Sequence, residues 1–180
     1  MVNKQIRILI KLADRRQMRL ILDPQSAPGT VENFMSLVDR GYYQGLCFHR
    51  IIPDFMVQAG GHKVIDKMIA DAEEMPTIFG EFFSNDFNRN YIKHEKGVIS
   101  MARSKEKDSA STQFFICTAT STHLDGHYAA FGRIADEESM ETLMELNEAP
   151  TAVINALFTD FPYPPIVIES ITRIDSSEVV

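Results

Sequence analysis

Apolar residues recur at every second position near both ends of this chain, and that period limits what it can fold into. Ile6, Ile8, Ile10 and Leu12 alternate with Gln5, Arg7, Leu9 and Lys11, and Met18, Leu20 and Leu22 keep the same period. Successive strand residues face opposite sides of a sheet, so this spacing predicts half-buried strands over 4–12 and 15–22, with Asp14-Arg15-Arg16 turning between them. Further strands are expected near 46–52, 55–59, 97–102, 112–118 and 129–134, separated by connectors carrying Pro, Gly, Asp or Ser. The segment Ile166 to Ile174 alternates too, and suits pairing with the first strand. Two stretches keep a helical period instead. Pro28-Gly29-Thr30 opens one, with Thr30 as N-cap, Val31, Phe34, Leu37 and Val38 on one face, and Gly41 as its end. Asp136 caps the other, which runs to about Asn147 with Met140, Leu143 and Met144 inward. Many strands, few helices and no alternation of strand with helix predict a mainly β fold, a closed antiparallel barrel.

The 180 residues suffice for one domain with a full core, and 1–180 is read as a single unit. A net charge of −7 argues against a nucleic-acid or anionic-membrane surface. Arg7 and Lys11 interrupt the first apolar stretch, so no secretory leader is expected, and no run approaches the ~18 apolar residues that span a bilayer. Cys47 and Cys117 sit in apolar, strand-like runs and read as reduced core thiols of a cytoplasmic protein. A disulfide between them would require neighbouring strands.

Four ordered motifs carry the chemistry. They are Phe48-His49-Arg50-Ile51-Ile52-Pro53-Asp54-Phe55-Met56-Val57-Gln58-Ala59-Gly60-Gly61, then Gly97-Val98-Ile99-Ser100-Met101-Ala102-Arg103, then Gln113-Phe114-Phe115-Ile116-Cys117-Thr118-Ala119, then His123-Leu124-Asp125-Gly126. In this order the chain closely resembles the cyclophilin family of peptidyl-prolyl cis–trans isomerases, in its single-domain, bacterial-like form. The resemblance implies an eight-stranded barrel with a helix over each open end, rotation about Xaa-Pro bonds in aid of protein folding, and no cofactor. The implied partners are proline-containing peptides and unfolded or partly folded proteins, met by a monomer.

An Xaa-Pro bond turns slowly because its C–N bond has partial double-bond character, with a barrier of about 18–20 kcal/mol. A catalyst must hold the proline ring, leave one side free to rotate, and favour the twisted amide, whose nitrogen regains a lone pair. A fixed cationic donor aimed at that nitrogen stabilises the twisted state over the planar one. Arginine suits the task, being permanently charged with a rigid fork of donors. By resemblance Arg50 is the catalytic arginine, and Gln58 is the residue that orients it or bonds a substrate carbonyl. Phe55, Met56, Phe115 and Leu124 match the proline pocket; periodicity alone would make them core, but Phe114 and Ile116 on the opposite strand face can supply that core. Ala102, Arg103 and Gln113 align with positions that contact the substrate backbone. At Arg103 the family often has asparagine and uses main-chain groups, so the arginine reads as a charged rim or a solvated surface residue.

The chain departs from the family in three places. His62 stands where an aspartate usually opens a glycine-rich loop, and no glycine follows until Gly80, so residues 62–77 are compatible with a short helix and touch the subsite upstream of the proline. His123 replaces a tryptophan that helps bind cyclosporin, so weak cyclosporin binding is expected. Tyr128 replaces a pocket histidine, and its ring and hydroxyl can still close the pocket. His123 and His127 have a spacing that could hold zinc on a helix, but Gly126 points to a turn, and no metal site is expected. Ser109 and Ser111 lack the G-x-S-x-G elbow of a hydrolase. The rival to the enzyme is a proline-peptide-binding chaperone or adaptor with little turnover, against which stand Arg50 and Gln58.

Overall fold

The computed structural model describes residues 5–175. Lys4, the expected start of the first strand, and the outer ends of the 1–180 unit lie outside them. Eight strands form the barrel, namely β1 (Ile6–Leu12), β2 (Gln17–Leu22), β3 (Leu46–Ile52), β4 (Met56–Ile65), β6 (Val98–Met101), β7 (Phe114–Cys117), β8 (Ala130–Ile134) and β11 (Ile166–Ile174). Their order is β3-β11-β1-β2-β8-β6-β7-β4, and β3 pairs with β4 to close the ring. The last strand pairs antiparallel with the first, Ile10 opposite Ile171, as the alternation implied. Strand β5 (Met68–Asp71) extends the sheet beyond β4, and a small pair, β9 (Thr151–Ala152) and β10 (Phe161–Pro162), stands apart.

The inward positions of β1 and β2 are sealed: Ile8, Ile10, Leu12, Met18, Leu20 and Leu22 are at most 1% exposed. Helix α1 (Pro28–Asp39) buries Val31, Phe34, Leu37 and Val38 in the same core, where the Phe34 ring meets Phe114 edge-on at 5.6 Å and Phe131 at 5.1 Å. Helix α2 (Glu137–Asn147) is capped by Asp136, whose carboxylate accepts from the Ser139 N–H, and it buries Leu143 and Leu146. Among the described residues no helix is long and apolar enough to cross a membrane.

Two local expectations change. The N-cap of α1 is Ala27, and Thr30 lies inside the first turn. The orphan amides of that turn are met from far along the chain: the buried Glu81 carboxylate accepts from Gly29 N–H at 2.9 Å, Thr30 N–H at 2.8 Å and the Thr30 hydroxyl at 2.7 Å. The segment 62–77, compatible with a short helix by sequence, instead forms a β-hairpin as far as Asp71. β4 runs on to Ile65 and returns through Asp66-Lys67 into β5, with Ile65 opposite Met68. Both turn residues have positive φ, 48° and 67°, the geometry that matches the twist of a two-residue hairpin.

Cys47 on β3 and Cys117 on β7 are free and buried. Both strands pair with β4 and not with each other, so the two thiols are not cross-strand neighbours. Burial pushes each thiol up to about 12.

Candidate active site

The β3–β4 hairpin explains the eight-residue spacing of Arg50 and Gln58. A tight turn at Pro53-Asp54 reverses the chain, with Asp54 at φ 57° and its N–H donating to the Asn147 side chain at 2.8 Å. Across this hairpin Arg50 and Gln58 are direct partners. The exposed Arg50 guanidinium reaches Gln58 Oε1 at 3.5 Å, and Gln58 Nε2 donates to Gln113 Oε1 at 2.9 Å. The three side chains thus form one chain of polar contacts across β3, β4 and the entry to β7. Gly61 makes room for it, since a Cβ there would collide with the Gln113 side chain. Arg50 takes part in no ion pair among the described residues.

Beside this chain lies a cavity of about 130 Å³, bounded by Arg50, Phe55, Met56, Gln58, Ala102, Arg103, Phe115, Leu124 and Tyr128. Alternation along β7 divides its side chains between two cores. Phe114 and Ile116 join the barrel interior, whereas Phe115 and Cys117 form a separate apolar cluster with Met56 and Leu124. Met56, Phe115 and Leu124 are only 2%, 5% and 6% exposed. The result is a small apolar dent with a cation and an amide at its lip, a shape suited to a compact apolar ring.

Nine of the eleven residues singled out by sequence therefore surround one cavity. Gln113 lines an adjoining polar hollow of about 300 Å³ that also includes Gln58, Ala102, Arg103 and Thr112. His123 stands outside the wall, exposed, with its ring 5.5 Å from that of Phe55. His127 Nδ1 lies 3.1 Å from Ser84 Oγ. A larger hollow of about 350 Å³ lies elsewhere, beside Gln5, Ile21, Asp23 and Arg133, and holds none of the eleven candidate site residues.

Arg103 is half-buried and held in place. Its Nε and Nη2 donate to the His127 carbonyl at 3.1 and 2.7 Å, Nη1 donates to the Ser104 carbonyl at 3.0 Å, and the guanidinium lies over the Tyr128 ring at 4.6 Å and the Phe82 ring at 4.9 Å. It forms the partition between the apolar cavity and the polar hollow. Tyr128, held beneath it, meets Phe115 edge-on at 5.9 Å.

Sequence gave no sign of the support behind the cavity. The buried His94 stacks on Phe115 at 6.1 Å, its Nε2 lies 3.0 Å from Ser100 Oγ and its Nδ1 3.1 Å from Asp125 Oδ1. Asp125 also accepts from the His94 N–H at 2.7 Å, which ties the Leu124 loop to the segment before β6. Burial lowers the His94 pKa, the Asp125 contact only partly opposing it, and lowers that of His62 in the same way. Burial foremost, then the cationic charge of His62 and Arg50, lowers His49 to about 3.

Similarity to known proteins agrees with this geometry. Residues 7–173 match the family model of the cyclophilin-type peptidyl-prolyl cis-trans isomerases. The chain is 38% identical over 156 residues to a peptidyl-prolyl cis-trans isomerase A of Dickeya dadantii, covering 84% of this chain and 76% of that one. It is 38% identical over 127 residues to a peptidyl-prolyl cis-trans isomerase-like 3 of Gallus gallus, covering 70% and 73%. Among solved structures, a cyclophilin-type isomerase of Cryptosporidium parvum superposes with a TM-score of 0.75 at 23% identity, covering 96% of this chain and 99% of that one. The same protein in the presence of the dipeptide Ala-Pro gives a TM-score of 0.74 at 24% identity, covering 94% and 99%. The chain belongs to the cyclophilin-type peptidyl-prolyl cis-trans isomerase family and is an isomerase of that type.

Proposed function

We propose that this chain isomerises Xaa-Pro bonds with Arg50 as the electrophilic group, Gln58 as its positioning partner, and the Phe55, Met56, Phe115 and Leu124 dent as the seat of the proline ring. The observation that carries this reading is the convergence of a guanidinium in no ion pair among the described residues and an apolar cavity of about 130 Å³ on one lip. With the ring seated, the carbonyl side of the bond rotates, and the guanidinium donates to the prolyl nitrogen as it becomes pyramidal. A stabilisation of about 5–6 kcal/mol corresponds to roughly 10⁴-fold acceleration. The Gln58–Gln113 hydrogen bond fixes the amide so that its oxygen faces Arg50. Ala102, Arg103 and Gln113 guide the substrate backbone, and Tyr128 closes one wall.

On this reading the chain works as one monomeric domain. It meets proline-containing peptides and unfolded or partly folded proteins in the cytoplasm and assists their folding. Two buried free thiols suit a reducing compartment. The test is a protease-coupled assay on peptides that vary the residue before proline, comparing wild type with Arg50→Ala. Peptide binding with no acceleration by either protein would select the adaptor.

The rate should be flat between about pH 6 and 9. No general base is required, and His49, near 3, stays neutral throughout. Stability behaves differently. The unfolded chain binds a proton at His49 near pH 6.5 that the folded chain refuses until about pH 3, so stability is full above 6.5 and falls with pH below it, by about 1.4 kcal/mol per unit. Urea unfolding should therefore show about 2 kcal/mol less stability at pH 5 than at pH 7.5. A bell-shaped rate profile inside pH 6–9, with circular dichroism unchanged, would indicate histidine chemistry instead.

Cyclosporin should bind weakly. His123 offers a smaller ring than tryptophan and stands outside the cavity wall, leaning on Phe55. His123→Trp should tighten binding by about tenfold, one hydrogen bond and an aromatic contact. Calorimetry that finds tight cyclosporin binding to the unmodified protein would contradict this.

A further inference from the structure

Arg50 is also a wall of a second hollow of about 300 Å³, formed with His49, His62, Asp71, Leu157, Phe158 and Asp160. His49 is 6% exposed, yet its buried Nδ1 has no hydrogen-bond partner among the described residues. A buried polar atom left unpaired costs stability, so it marks a place where a complementary group is wanted. Burial keeps this imidazole neutral, and in the tautomer with its hydrogen on Nε2 the bare Nδ1 accepts from a proton-bearing group. Aromatic edges surround it: His62 lies 4.5 Å from the His49 ring, and Phe158 lies 4.9 Å from His62 and 6.3 Å from His49.

The charge at the mouth is acidic. Asp71 Oδ1 sits 3.0 Å from His62 Nδ1, and its side chain is 88% exposed and open to a second partner. Asp160 accepts from the Thr159 hydroxyl at 2.8 Å and adds a second carboxylate. The one cation in the wall, Arg50, turns its guanidinium to Gln58, which belongs to the proline cavity. Leu157, 87% exposed, offers an apolar ledge beside the two carboxylates.

We infer that this hollow is a subsite for a basic side chain, lysine or arginine, carried by the client polypeptide a few residues from the isomerised proline. The inference rests on the isomerase reading of the adjoining cavity. The methylene stem lies along Phe158 and Leu157, as long cationic side chains do on apolar surface. The cationic head faces Asp71 and Asp160, and one of its N–H groups satisfies His49 Nδ1. A glutamate would meet two carboxylates, and an apolar residue would leave the His49 nitrogen unpaired. Because one side chain borders both cavities, an extended chain links them with about two to four residues.

The test scans lysine, norleucine and glutamate through the positions two to four residues on either side of a single Xaa-Pro bond. Isomerisation and direct peptide binding by fluorescence anisotropy are measured with wild type and with the Asp71→Asn/Asp160→Asn double variant. At one position wild type should favour lysine over norleucine by about fivefold in both kcat/KM and affinity, the scale of a partly exposed ion pair, with glutamate lowest. In the double variant the lysine-to-norleucine ratio should fall to about one. A ratio near one at every position in wild type, or a preference the double variant retains, overturns the subsite while leaving the isomerase. A lysine preference in binding without acceleration of any peptide upholds the subsite and overturns the isomerase reading. No binding of any peptide overturns both.

Discussion

Arg50→Ala is expected to lower kcat/KM by about a hundred- to a thousandfold, the loss typical when one preorganised donor to a developing charge or lone pair is removed. The loss should fall on kcat, because the guanidinium acts on the twisted amide and not on the planar ground state. Peptide affinity should change by less than about threefold, since Phe55, Met56, Phe115 and Leu124 remain to hold the ring. The fold should survive, because Arg50 is exposed and among the described residues its side chain hydrogen-bonds only to Gln58. Arg50→Lys keeps the charge but loses the planar fork, and should recover only part of the rate. A variant that keeps both its fold and wild-type turnover would remove this arginine from the mechanism.

Glu81→Ala is the second large effect, and it bears on stability. One buried carboxylate, 5% exposed, satisfies three donors at the start of α1: two backbone amides and the Thr30 hydroxyl. Its negative charge also faces the positive end of the helix. Removing it strands these groups in a closed site, at a cost of about 3 kcal/mol. For a chain of this length that is a fall in Tm of about 6–12 °C, measurable by calorimetry. Glu81→Gln should lose somewhat less, because its amide oxygen still accepts although its NH₂ group cannot. A shift below about 2 °C for Glu81→Ala would mean that water or a neighbour replaces the cap. Activity at low temperature should be nearly unchanged, as Glu81 borders neither the proline cavity nor the polar hollow.

Alternation revealed the outer strands because one side of each is sealed. Ile8, Ile10 and Leu12 face the core while their neighbours do not, so period and burial coincide. The 62–71 hairpin gave no such signal. Its residues are half-buried or exposed on both faces, and its turn uses Asp66-Lys67 where glycine or asparagine would have announced it. Thr30 looked like a cap because it has the right chemistry near a helix start, but the cap comes from Glu81, 51 residues on, beyond any local pattern. The same holds for His94 and Asp125, 31 residues apart. In the site, Phe114-Phe115 reads as one apolar run. Only the strand's placement between two cores assigns Phe115 to the cavity and Phe114 to the interior. The Arg50–Gln58 pairing, implied by the family resemblance, is local in the structure, set by one turn across one hairpin.

Both native sulfhydryls are shut inside the barrel wall and resist ionisation at neutral pH. Maleimide reagents need a thiolate within reach, so they should leave Cys47 and Cys117 untouched in the native protein. One cysteine placed at the tip of the β4–β5 hairpin, for example Lys67→Cys, would then be the sole reactive handle. A dye attached there could report on client arrival from the rim of the molecule, without first stripping the natural residues from its interior.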